Sequence, residues 1–390
     1  MMISDIGIFF QPLSSELLSG NRPGTVGSRI QGYTDTSEFP KITSGSVVIV
    51  GVLENRGSGM PTDVSSVVLQ IRRNLYQLKD HFGPVNLIDL GNITPGESLS
   101  DTYYAVSSSV AGIVQEGGIA LIIGGSQDLT YAAYLAYEKL EQIVNLVTVD
   151  PRFDIGEAED ELRADQFMQK IILHQPNVLF NFSNIGYQTH HVLPKEADLL
   201  KKMYFDVYRL GEVQRGLEEV EPVVRNADLI SFDLTSIRAS DLPSNLNDEP
   251  NGFYGQEACA ISRYAGLSDK LSTIGFFNTN PETDDQRSNK LVAQLIWYFI
   301  WGVSNRKKDY PFADKSEYTK YTVSIQNGQY DVVFYKSGRS DRWWMEVPYP
   351  SKRGEKYQRH FMVPCSYSDY QLACDDDIPD RWWQTFQKLG

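Results

Sequence analysis

Apolar residues along this chain fall into short unbroken runs separated by stretches with helical spacing. Val47-Val48-Ile49-Val50-Gly51-Val52 carries no polar side chain, as expected of a strand covered on both faces. After it, Val64, Val67, Val68, Ile71, Leu75 and Leu78 recur at intervals of three and four, which predicts an amphipathic helix. Run and helical stretch then alternate, with further runs at 86–90, 119–123, 144–149, 178–183, 204–208, 228–233 and 272–277. Eight strands interleaved with helices predict a three-layer α/β/α fold with a parallel eight-stranded sheet. In such sheets ligands sit beyond the carboxyl ends of the strands.

The pattern changes near residue 306. Tyr321 to Ile325 and Tyr330 to Tyr335 flank Asn327-Gly328, a strong hairpin signal. Arg342 to Val347 offers a third strand, Ser366 a helix cap, and Pro379 the start of a helix carrying Trp382, Trp383 and Phe386. Residues 1–44 are broken by Pro12, Gly20, Pro23, Gly24 and Gly27 and read as irregular. The expected organisation is an N-terminal arm (1–44), an α/β domain (45–305) and a small C-terminal α+β appendage (306–390).

Composition narrows the function classes. A net charge of −14 opposes binding to nucleic acid, whose phosphates would be repelled. The three cysteines, Cys259, Cys365 and Cys374, form neither a disulfide framework nor a zinc pattern. The N-terminus lacks a basic region followed by a long apolar core, and no apolar stretch reaches membrane-spanning length. A cytoplasmic protein without membrane insertion is expected.

Three predicted strands end in polar residues: Gly124-Gly125-Ser126-Gln127-Asp128, Asp150-Pro151-Arg152-Phe153-Asp154 and Ser231-Phe232-Asp233-Leu234-Thr235. With Asn280-Pro281 and the Pro250-Asn251-Gly252-Phe253-Tyr254 segment, this order resembles the arginase/agmatinase/formimidoylglutamase (ureohydrolase) family over roughly residues 45–302. The resemblance implies an arginase-like fold, two Mn2+ ions held by two histidines and four aspartates, and a bridging hydroxide that attacks a guanidinium or formimino carbon. Two cations lower the pKa of shared water and offset charge as the tetrahedral intermediate forms. Active relatives often form trimers or hexamers, so the resemblance leaves a homo-oligomer open, although the appendage could block that assembly.

Residue by residue, the ligand set departs from that pattern. Asp150, Asp154 and Asp233 match aspartate ligands, but Gln127 and Arg152 stand at the histidine positions and Thr235 at the fourth aspartate. The late glutamate of the family falls at Asn278, and Ser126 and Asp128 exchange the residues that flank the first histidine. A guanidinium cannot ligate a cation, so Arg152 is expected to replace the metals as counter-charge of the acidic cluster. The expectation from these substitutions is a catalytically degenerate scaffold, regulator or ligand sensor with no cofactor, which binds a protein partner or a small molecule. The alternative is an active amidinohydrolase with a rearranged site and two Mn2+.

Other residues carry weaker signals. Arg209 and Arg238 stand near the expected mouth, where they could bind an anion or pair with the Glu218-Glu219-Glu221 run. His190-His191 could supply a base or ligand, although adjacent residues of a strand point opposite ways, and the pair is better placed in a loop. Cys259 fits a helix core. Trp343, Trp344, Trp382 and Trp383 could form a partner surface or the core of the appendage.

Overall fold

The computed structural model describes residues 6–59, 63–156, 163–280, 285–311, 315–326, 328–348, 357 and 359–389. Pro281 and Asn327, quoted above, lie outside them.

The strands are β1 (Phe10–Gln11), β2 (Ile30–Gly32), β3 (Val47–Val52), β4 (Leu87–Ile93), β5 (Ile119–Ile123), β6 (Val144–Val149), β7 (Leu179–Tyr187), β8 (Asp206–Arg209), β9 (Leu229–Asp233) and β10 (Thr273–Phe277). They form one sheet in the order β1-β4-β3-β5-β10-β9-β6-β7-β8, with β2 also on β4. All pairings are parallel except β1 with β4. The expected eight strands are present as β3 to β10. The arm, read as irregular, instead supplies two short edge strands that share the length of β4, Ile30 to Gly32 beside Leu87 to Asp89 and Phe10 to Gln11 beside Ile93 to Asn92. Two- and three-residue strands leave no alternation to recognise, and they exist because β4 offers them an edge.

Period-two alternation sends side chains to both faces. Val47 and Ile49 pack with the helices 65–77, 255–266 and 286–304, whereas Val48, Val50 and Val52 pack with 99–115, 129–139 and 167–173. Every residue of β3, β5, β6, β9 and β10 is buried, which explains why these strands read as continuous apolar runs. The helix Leu99–Gln115 opens with a reciprocal capping box: Ser98 N donates to Asp101 Oδ2 at 2.8 Å, and Asp101 N donates to Ser98 Oγ at 3.2 Å. Ser98→Ala is expected to cost about 1 kcal/mol, measurable as a shift of the urea midpoint at unchanged slope.

The chain then builds a second, antiparallel sheet from β11 (Tyr318–Ile325), β12 (Tyr330–Ser337), β13 (Trp343–Glu346) and β14 (Met362–Cys365), covered by helices 367–374 and 380–389. Trp343, Trp344 and Trp382 are 8%, 1% and 1% exposed, and only Trp383 reaches the surface, at 36%. The expected four-tryptophan partner surface is therefore corrected: three of the four rings fill the interior of this small module. The module docks at the amino ends of the large sheet. Arg225 donates to the carbonyls of Trp343 and Cys365, Arg359 pairs with Asp228 at 3.0 Å, and His360 stacks on Phe180 at 4.3 Å. The carboxyl ends of the strands lie at the opposite side.

Candidate active site at the carboxyl ends of the strands

Four neighbouring strands, β5, β10, β9 and β6, end side by side, so residues far apart in sequence meet there. Gly125 lets the loop after β5 press against the loop after β3: a Cβ at this position would stand 1.9 Å from the Glu54 carbonyl oxygen. Gly125 O accepts from Asn278 N at 2.6 Å, and Thr279 Oγ1 donates to Gly124 O at 2.9 Å. These bonds fix Gln127, Asn278, Asp150 and Asp233 around one point.

Gln127 Nε2 donates to Asp150 Oδ2 at 2.7 Å, and its backbone N–H donates to Asn278 Oδ1 at 3.2 Å. Asn278 Nδ2 donates to Asp233 Oδ1 at 2.9 Å. Thr235 holds Asp233 from both ends, N to Oδ1 at 2.8 Å and Oγ1 to Oδ2 at 2.5 Å. The Arg152 backbone N–H donates to Asp150 Oδ1 at 2.7 Å, and Asn184 Nδ2 secures the turn through the Arg152 carbonyl at 2.8 Å. Asp154 takes a left-handed backbone conformation, φ 50°, that turns it back onto Asp150. Asp128 is not part of the cluster, since the Tyr103 hydroxyl of the helix layer holds it.

Asp150 and Asp233 are buried, and Asp154 is partly exposed. Burial, followed by the nearby Asp233 charge, pushes the Asp150 carboxyl up to about 7. Burial and then Asp150 push Asp154 well above the usual carboxylate range. Asp233 is also raised by burial, against hydrogen bonds from Thr235 and Asn278. Repulsion between neighbouring carboxylates thus adds to the cost of burying them.

The side chain of Arg152 relieves this only from a distance. Its guanidinium faces His191 Nδ1 at 3.4 Å and Glu249 at 3.9 Å. It acts on Asp154 and Asp233 only through space, with no ion pair to the cluster among the described residues. The expected counter-charge role is corrected accordingly: the chain turns back at Asp150, so the backbone amide of Arg152 enters the cluster and its side chain leaves. Burial, then Arg152, lowers the His191 imidazole pKa.

The two other arginines are paired locally. Arg209 binds Glu212 at 2.9 Å, and Arg238 binds Asp241 at 2.9 Å while lying over the Tyr254 ring. Neither uses the Glu218-Glu219-Glu221 run, and these pairings oppose the anion-binding role. Cys259 is buried in a helix, with its thiol pushed up to about 12 by burial. Two participants were not apparent in the sequence. Glu249 lies on a long loop just before the segment 250–254, and Asn184 lies within β7, one residue past the run expected at 178–183.

The residues fit a hard divalent cation. Among the described residues no cationic side chain pairs with the three neighbouring carboxylates, and the adjacent Thr235 Oγ1 and Gln127 Oε1 are further oxygen donors, although the three carboxylates do not each bring an oxygen within 4.8 Å of the other two as they stand. At the two histidine positions the chain offers an amide and a guanidinium in place of nitrogen ligands.

The family model described as "Arginase family" matches residues 48–302. Formimidoylglutamase of Staphylococcus haemolyticus is 26% identical over 223 residues, 55% of this chain and 71% of that protein. A Trypanosoma cruzi formiminoglutamase structure with Mn2+ superposes with TM-score 0.60 at 18% identity, over 67% of this chain and 94% of the other. Formimidoylglutamase from Bacillus subtilis gives TM-score 0.60 at 16% identity, over 70% and 96%. These findings overturn the expectation of a degenerate, metal-free scaffold. The relatives are formimidoylglutamases by name, one of them solved with Mn2+, and among the described residues no side chain ion-pairs with the carboxylates in place of a cation. With a family model spanning most of its length and the matching strand-end aspartates in place, the chain belongs to the arginase family.

Proposed function

We propose that the protein is a hydrolase that cleaves a C–N bond of a linear amidine, with formiminoglutamate the first substrate to test, at a Mn2+ centre held by Asp150, Asp154 and Asp233. The supporting observation is the meeting of Asp150, Asp154 and Asp233 at adjacent strand ends, two of them buried, with no cationic side chain paired to them among the described residues. The names of the formimidoylglutamase relatives supply the substrate class. Thr235 and the amide oxygen of Gln127, once rotated, complete the oxygen donors. Bound Mn2+ would lower the pKa of water and offset negative charge developing at the amidine nitrogen.

The chain's own residues do the positioning. Asn278 and Thr235 fix the plane of the Asp233 carboxylate, and Gln127 together with the Arg152 amide fixes that of Asp150. Burial and mutual repulsion raise the pKa of both Asp150 and Asp154, so the metal-free pair favours protonation, which a bound cation would oppose. Asp154, the partly exposed member, is nearest to incoming water. Water adds to the amidine carbon and the bond to the alkyl nitrogen breaks. A formimino compound thus yields an amine and formamide, and a guanidino compound an amine and urea.

The test is elemental mass spectrometry of Mn2+-loaded protein after desalting, with formamide and urea release measured on formiminoglutamate, arginine and agmatine. Retained Mn2+ and release that a chelator stops are expected. Release from none of the three substrates by protein that retains no Mn2+ would overturn the reading.

A further inference from the structure

We infer that His190, His191 and Glu249 form a separate binding site for a borderline transition-metal cation such as Zn2+, at the mouth of the carboxylate cleft. This site shares no residue with the Asp150, Asp154 and Asp233 cluster and does not depend on the hydrolase reading.

The local fold brings the three side chains together. Beyond β7 the chain leaves extended structure and makes a single 3-10 turn over Thr189–His191. In a strand the two imidazoles would point to opposite faces. In this turn their ring centres lie 4.2 Å apart with an interplanar angle of 51°. The facing loop is fastened on its own account. Ala239 N donates to Glu249 O at 2.8 Å, and Gln188 Nε2 reaches across to Asn251 O at 3.3 Å. Gln188 N also donates to Pro151 O at 2.9 Å, which ties the turn to the strand end bearing Asp150.

One ligand atom from each of the three residues lies within 4.8 Å of the other two. Donor atoms each about 2 Å from one Zn2+ ion stand about 3.3 Å apart in a tetrahedron, so seating an ion requires the three side chains to close in. His191 Nε2 is the second pointer. It is buried and faces Glu249 Oε1 at 3.2 Å without completing a well-formed hydrogen bond. A buried ring nitrogen left unsatisfied is uncommon, and a cation between the nitrogen and the carboxylate would satisfy both. Two imidazoles and one carboxylate suit Zn2+, Co2+ or Ni2+ better than Mg2+ or Ca2+, which favour all-oxygen sites. The competing charge is Arg152, 3.9 Å from Glu249 with its side chain 37% exposed. Its guanidinium also faces His191 Nδ1 at 3.4 Å, so an ion must displace it from both residues.

The experiment uses the full chain without a histidine tag, and Co2+ as probe, read by equilibrium dialysis and visible absorption. Asp150→Asn/Asp154→Asn disables the carboxylate cluster with near-isosteric changes. This protein is expected to bind one Co2+ per chain with the absorption of a nitrogen-ligated ion. Adding His191→Ala or Glu249→Gln should weaken binding at least about tenfold, and adding Arg152→Gln should tighten it about tenfold by removing the competing charge. If the double variant fails to fold, His190→Ala alone, at an exposed position, should remove one Co2+ per chain from otherwise wild-type protein. Binding unchanged by the histidine and Glu249 substitutions, or no Co2+ bound once the carboxylates are disabled, would overturn the proposal. Loss of amidine hydrolysis is a different readout and leaves it standing.

Discussion

Asp154→Asn is expected to lower Mn2+-dependent amidine hydrolysis by about a thousandfold or more, and to make the metal-free protein more stable than wild type above neutral pH. The two effects have one cause. Asp154 is the carboxylate that the left-handed turn at φ 50° folds back against Asp150. Its removal takes one of the three charges from any bound cation. Groups one step removed from a metal typically matter 10- to 100-fold, so a direct ligand should matter more. In the absence of metal the same charge is a burden, since it repels Asp150 and Asp233 in a buried site.

The pH dependence follows with a definite sign. Asp150 moves from 3.8 to about 7 on folding, and Asp154 and Asp233 move the same way. For an acid whose pKa rises on folding, the folded state binds more protons than the unfolded state between the two values. The stabilisation is complete below pH 3.8 and is lost as pH rises through about 7. Urea unfolding of metal-free protein at pH 5 and pH 8 should therefore show wild type losing on the order of a few kcal/mol more than Asp154→Asn between the two conditions. Saturating Mn2+ should abolish that difference, because the cation supplies the charge the protons had supplied. Equal losses in the two metal-free proteins would show that the carboxylates do not repel as the geometry requires.

Much of this site was legible in the sequence, because parallel sheets place their chemistry at strand ends. The runs ending at Gly124, Asp150 and Asp233 were sufficient to align Gln127, Asp150, Asp154 and Asp233, and Asn278 was found through the Asn280-Pro281 pair. The direction of a side chain was not legible. Whether Arg152 entered or left the cluster depended on the turn at Asp150 and on Asn184, which holds the carbonyl of Arg152. Its destination depended on Glu249, in the loop between β9 and the helix at 255–266, just before the segment 250–254. An identity at one position, arginine where relatives have histidine, was therefore given a meaning that only geometry could supply. The tryptophans of the C-terminal module posed the same difficulty: an Asp-Arg-Trp-Trp run does not show which ring points inward.

The largest effect on stability is expected far from the chemistry. Asp89→Ala should destabilise the protein by about 3–5 kcal/mol, a substantial fraction of the 5–15 kcal/mol that holds a typical domain folded. Asp89 sits on β4 under the helix Ser65–Gln77 and is fully buried. Arg72, 1% exposed, grips it with two bonds, Nε to Oδ2 at 2.8 Å and Nη2 to Oδ1 at 3.1 Å. The remaining donors of Arg72 go to Asn92 Oδ1 at 2.6 Å and Gly91 O at 2.8 Å, and Tyr76 OH donates to Asp89 at 2.8 Å. Removing the carboxylate leaves a guanidinium and a phenol buried with part of their bonding unmet, and the guanidinium can neither deprotonate nor reach water without unpacking the helix. Replacing the group as a whole is a different matter, because two charges no longer need to be taken out of water. Arg72→Met combined with Asp89→Leu and Tyr76→Phe should therefore cost less than half of what Asp89→Ala costs, measured as unfolding free energies in urea at one pH. A loss below about 1 kcal/mol for the single change would mean that the pair is relaxed by water, and the helix 65–77 would then be held to the sheet by its apolar face alone.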